Sequence, residues 1–108
     1  MMAMLNDHLS ISAKCADIIR RIVIQYADQE VIIVLSKELY DLLSKYFIEY
    51  NGVTMIFGIP VIQGLEKEVE WTSNVQARLY VVFNNTIDQV LSWYEEWRKN
   101  GWVLQKRE

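Results

Sequence analysis

Apolar positions along this chain recur with two different periods, and each change of period marks the start of a new element. Met4, His8, Ile11, Cys15, Ile18, Ile19, Ile22 and Tyr26 follow one another at helical spacings, with Lys14, Asp17, Arg21, Gln25 and Asp28 opposite. That stripe predicts an amphipathic helix within residues 1–28, capped by Asn6, Ser10 or Ser12. Val31-Ile32-Ile33-Val34-Leu35 then breaks the period with consecutive apolar, mostly β-branched residues. Such a run suits a strand covered on both faces.

Ser36 supplies an N-cap hydroxyl and Glu38 a first-turn anion for a second helix. Its stripe is Leu39, Leu42, Leu43, Tyr46, Phe47 and Tyr50, which predicts a helix to residue 50. Asn51-Gly52 is expected to stop it, with Gly52 left-handed just past its end. Val53 to Phe57 returns as a strand. The expectation for Gly58-Ile59-Pro60 is a bend in that strand rather than a reversal, since proline lacks an N–H and suits an edge.

Glu66, Glu68 and Glu70 alternate with Lys67, Val69 and Trp71, the period of a solvated strand or hairpin arm. Val75 to Phe83 reads as another strand. Thr86 and Gln89 have capping-box spacing, and Ile87, Val90, Leu91, Tyr94 and Trp97 form the stripe of a last helix. Asn100-Gly101 ends it, and Trp102 to Arg107 reads as a final strand.

The expected architecture is therefore one α+β domain over residues 1–108, an α/β sandwich. An N-terminal helix (1–28) precedes a βαββαβ core (30–107). The element order resembles that of ferredoxin-like domains, which implies a four-stranded, mostly antiparallel sheet. The alternative is a small open α/β sheet in three layers. The all-apolar runs 31–35 and 79–83 are expected at the centre, with Pro60 and Lys106-Arg107 protecting the edges.

Composition narrows the partners. The chain has 108 residues and a mass of 12.8 kDa, enough for one core. A net charge of −3 argues against broad electrostatic attraction to nucleic acid or anionic membranes. The single cysteine, Cys15, allows no internal disulfide and fits a reducing, cytoplasmic setting. No basic residue precedes Lys14, so no secretory signal is expected. The run from Met55 to Ile62 is far short of the roughly 20 residues that span a bilayer.

Candidate chemistry is sparse. His8 and Cys15 lie on one helix face about 10 Å apart in rise, too far for a nucleophile and its base. Glu66, Glu68 and Glu70 share one strand face, which can hold a divalent cation but is ordinarily solvated. No catalytic residue, metal or cofactor is expected. RNA-recognition domains share the βαββαβ order but stack bases on aromatics of the central strands. Here only Tyr80 is offered.

The expected function is a non-catalytic intracellular protein-binding or assembly domain. One alternative is a nucleic-acid-binding accessory protein using Arg20, Arg21, Arg78, Lys106 and Arg107. Another is a small metal-dependent, nuclease-like enzyme. Two helices cover one face of a four-stranded sheet, which leaves a single helix for the other. That shortfall predicts a homodimer packed through the N-terminal helix and the open sheet face. Ile11, Ile18, Tyr80, Trp93 and Trp97 are the candidate partner-binding residues.

Overall fold

A computed structural model of the chain describes residues 10–64 and 79–101. Helix α1 spans Ile11–Val23, and its cap is Ser10, whose Oγ accepts the backbone N–H of Ala13 at 3.0 Å. Its apolar stripe faces inward, with Cys15, Ile18 and Ile19 fully buried. A turn of 3-10 helix, Ile24–Tyr26, leads to strand β1, Val31–Leu35, in which all five residues are buried as the continuous apolar run predicted.

Ser36 caps α2, Lys37–Leu43, by accepting the Leu39 N–H at 3.3 Å. The helix is shorter than its stripe implied. After Leu43 the chain tightens into a 3-10 turn, Ser44–Tyr46, and then extends as β2, Ile48–Tyr50. Asn51 and Gly52 have φ of 53° and 80°, so this asparagine-glycine pair turns a hairpin into β3, Val53–Ile56, instead of ending a helix. Positive φ at both central residues matches the twist of the flanking strands.

A second reversal follows at once. Phe57 and Gly58 have φ of 58° and 77°, and β4, Ile59–Gln63, runs back along β3 with Ile56 opposite Ile59 and Met55 opposite Pro60. The bent strand expected here is a hairpin. Pro60 is tolerated inside the sheet by position. The pair closing a two-residue hairpin is hydrogen-bonded, so the next pair, Met55–Pro60, is not. The missing N–H therefore points toward β1, whose ladder with β4 begins only at Ile33–Val61.

Strand β5, Leu79–Phe83, lies on the other side of β1, and α3, Ile87–Lys99, closes the described chain. Thr86 and Gln89 form the predicted capping box: Gln89 N–H donates to Thr86 Oγ1 at 3.1 Å, and Thr86 N–H to Gln89 Oε1 at 3.0 Å.

The result is a mixed α+β fold with a five-stranded sheet ordered β2-β3-β4-β1-β5. β1 is parallel to both β4 and β5, whereas β2, β3 and β4 form an antiparallel meander. This differs from the four-stranded, mostly antiparallel ferredoxin-like sheet. The cause is local: early termination of α2 releases Ile48–Tyr50 as an extra strand, and two tight turns place β4, not β3, beside β1. Residues 65–78 and 102–108, where further strand was expected, lie outside the described residues.

All three described helices pack on one face of the sheet. Ile18 and Ile19 from α1, Leu39 and Leu43 from α2, and Val90 and Tyr94 from α3 share a single core cluster with Ile33, Leu35, Val61 and Phe83. A third layer is not seen among the described elements. Truncating one of these fully buried leucines to alanine costs about 2–5 kcal/mol.

Candidate functional site

Alternation along the strands sorts every described sheet residue onto one of two faces. Ile33 and Leu35 point toward the helices, so Ile32 and Val34 point away. Register carries that assignment across the sheet. Val34 is paired with Ile62 on one side and Val82 on the other, and Ile32 with Tyr80. Pro60 shares the face of Ile62 and lies opposite Met55, which is opposite Ile48 in turn. Val53 and Tyr50 complete the face as the pair closing the Asn51-Gly52 turn.

Among the described residues, the face away from the helices is thus built from two side chains of each of five strands, and none of the ten is charged. Its centre and its flanks differ. Ile32 and Val34 are each only 2% exposed, whereas Ile48 is 69%, Tyr50 66%, Val82 53% and Tyr80 40% exposed. Val53, Met55, Pro60 and Ile62 are half-buried. Exposed apolar side chains therefore lie on both flanks of this sheet face, on either side of a covered centre.

Of the residues proposed from sequence, Tyr80 belongs to this surface. The others are elsewhere. Ile11 is exposed at the start of α1, and Ile18 is fully buried beneath the same helix, facing the core. Trp93 and Trp97 are half-buried on α3 and pack against the core, with the Trp93 ring 6.4 Å from that of Phe83. The N-terminal helix therefore spends its apolar stripe within its own chain, against α3, where Lys14 also lies 5.7 Å over the Tyr94 ring. Sequence reasoning missed Ile48, Tyr50 and Val82. An asparagine-glycine pair flanked by alternating apolar residues is a strong hairpin signal, and it was available for the first two.

The basic candidates do not meet among the described residues. Arg21 is tied to Asp17 on its own helix at 3.3 Å, and Arg20 is exposed near the end of α1. Arg78, Lys106 and Arg107 lie outside the described residues, as do His8, Glu66, Glu68 and Glu70. No group of three or more His, Cys, Asp or Glu that could hold a metal occurs among the described residues. Burial pushes the Cys15 thiol up from 9.0 to about 11, so it is a protonated core side chain at neutral pH rather than a nucleophile.

The C-terminal ends of β1 and β5 bring two helix starts together, the place where open α/β sheets commonly bind ligands. Here several of the donors are already used within the chain. The Ile87 N–H is taken by the Glu38 carboxylate at 3.0 Å, and the Gln89 N–H by Thr86. Ser36 Oγ donates to the Asn85 carbonyl at 2.9 Å. That end is a structural clasp.

No family model, no curated protein and no solved structure matches this chain. No described helix is long and apolar enough to cross a membrane.

Proposed function

We propose that this chain is a small binding domain that assembles by pairing the apolar face of its sheet with the same face of a second copy. The observation that carries this reading is the uncharged composition of that face across all five strands. A charged partner would find no complement there and would be desolvated at a cost. Ile32 and Val34 at the centre are already covered within the chain, so the contact falls to the exposed flanks of the two copies, related by a two-fold axis.

The available area is of the right size. Ile48, Tyr50, Tyr80 and Val82 are between 40% and 69% exposed. Taking about 200 Å² for a large side chain, they offer on the order of 450 Å² per copy. Two copies bury about 900 Å² from these residues. The half-buried Val53, Met55, Pro60 and Ile62 carry the total past the roughly 1,000 Å² expected of a specific interface.

Two substitutions on the face and one off it test the reading. Val82→Glu and Tyr50→Glu should each convert the protein to a monomer by light scattering, with far-ultraviolet circular dichroism unchanged. Glu49→Lys, on the opposite face of β2, should leave the mass as it is in the wild type. Assembly surviving both face substitutions overturns the proposal.

A further inference from the structure

Two neighbouring hairpins in this sheet use the same backbone geometry with very different residues. At Asn51-Gly52 the left-handed position holds an asparagine, which adopts it readily; at Phe57-Gly58 the same position, with φ of 58°, holds a phenylalanine. A bulky residue rarely adopts that conformation, and where one does the strain tends to serve a site. The Phe57 ring packs at the margin of the core and forms part of the wall of a cleft.

The cleft has a volume of about 610 Å³ and opens at the start of β1, between the end of α1 and the β3–β4 turn. Val23, Ile24, Ile32, Phe57, Ile59 and Pro60 supply apolar walls. Clefts of about 300–1,000 Å³ with mainly apolar walls are the usual sites for small molecules. Among the described residues, the charged ones lining it are Arg20 and Glu30, both exposed and opposite in sign. An ion entering between apolar walls would shed water, and this pair would neither favour it nor compensate it on balance.

From the apolar cleft walled by the strained Phe57, and its balanced charges, we propose a binding site for a small, uncharged, mainly apolar molecule. This site is separate from the exposed flanks of the sheet face, although Ile32 and Pro60 border both. Its residues come from the end of α1, the 3-10 turn and joint after it, β1 and the β3–β4 hairpin, so ligand occupancy would brace the turn that joins the meander to the parallel strands.

Two fluorescent probes differing by one charge test it. N-phenyl-1-naphthylamine is uncharged; its sulfonate relative, 1-anilinonaphthalene-8-sulfonate, is an anion of otherwise similar shape. The uncharged probe should bind with one site per chain and at least tenfold more tightly than the sulfonate. Ile24→Glu, at a position 56% exposed and therefore compatible with folding, should weaken it at least tenfold. Ala27→Phe, which fills the cleft, should do the same, and Glu49→Lys, away from both the cleft and the sheet face, should leave binding unchanged. Absence of binding up to the probe's solubility overturns the proposal. So does equal affinity for the two probes, or a signal kept in both Ile24→Glu and Ala27→Phe.

Discussion

Glu38 Oε2 accepts the backbone N–H of Ile87 at 3.0 Å, across 49 residues of sequence. A side chain in the first turn of α2 thus satisfies a free donor in the first turn of α3, where the helix dipole also favours its charge. Ser36 reinforces the link from beside it, accepting from Leu39 and donating to the Asn85 carbonyl. The two helices start side by side because the strands before them, β1 and β5, are parallel neighbours.

The clasp sets a first prediction. Glu38→Ala should lower the free energy of unfolding by about 0.5–1 kcal/mol, the low end for a lost cap because the carboxylate is exposed. Glu38→Gln, which keeps an acceptor, should cost less. Denaturant titration checks this, and identical midpoints for wild type and Glu38→Ala would show that the bond contributes nothing in solution.

Ser36→Ala should cost more, about 1–2 kcal/mol, since one hydroxyl serves both the α2 cap and the Asn85 carbonyl. Combined with Glu38→Ala, the loss should fall short of the sum, because both contacts hold the same pair of helix starts. Strict additivity in the double variant would mean that the two contacts act independently.

At the Asn51-Gly52 turn, Gly52 has φ of 80° and nothing within 4 Å of an added Cβ, so only backbone strain opposes substitution. Gly52→Ala should therefore cost about 1 kcal/mol or more. Gly52→Asn should cost clearly less, since asparagine tolerates the left-handed region. A denaturant midpoint unmoved by alanine would contradict the turn geometry.

What the sequence disclosed and what it hid divide along physical lines. Local signals held: the Ser10, Ser36 and Thr86 caps, the Thr86–Gln89 box and the doubly buried run at Val31–Leu35 depend on neighbours a few residues away. The stretch from Tyr46 to Tyr50 failed because Tyr46, Phe47 and Tyr50 satisfy helical spacing while Ile48 and Tyr50 satisfy strand alternation. Tertiary pairing with Val53 and Met55 decided between them. The Phe57-Gly58 reversal was passed over for a bend because Pro60 suits an edge and phenylalanine is not a turn residue. Strand order was hidden too, since β1 pairs only with β4 and β5, both distant in the chain. The candidate surface followed from that order, so Tyr80 was legible only as an aromatic on a strand expected at the centre, and Val82 not at all.

Cys15 gives a prediction in pH. Its thiol ionises near 9.0 when unfolded and near 11 in the folded core, held protonated by burial. The folded state thus keeps a proton that the unfolded chain loses. Its contribution to stability is complete below about pH 9 and is lost as pH rises toward about 11. The slope is at most about 1.4 kcal/mol per pH unit. Cys15→Ala should remove that slope relative to wild type. At pH 8 a disulfide reagent should modify native Cys15 at least a hundredfold more slowly than the denatured chain, and equal rates would contradict its burial.

The central claim concerns the uncharged sheet face, and the mass of the wild-type protein in solution tests it most directly. Light scattering behind size exclusion, with the protein at tens of micromolar, should give twice the 12.8 kDa chain mass. A mass of 12.8 kDa under those conditions would contradict the account.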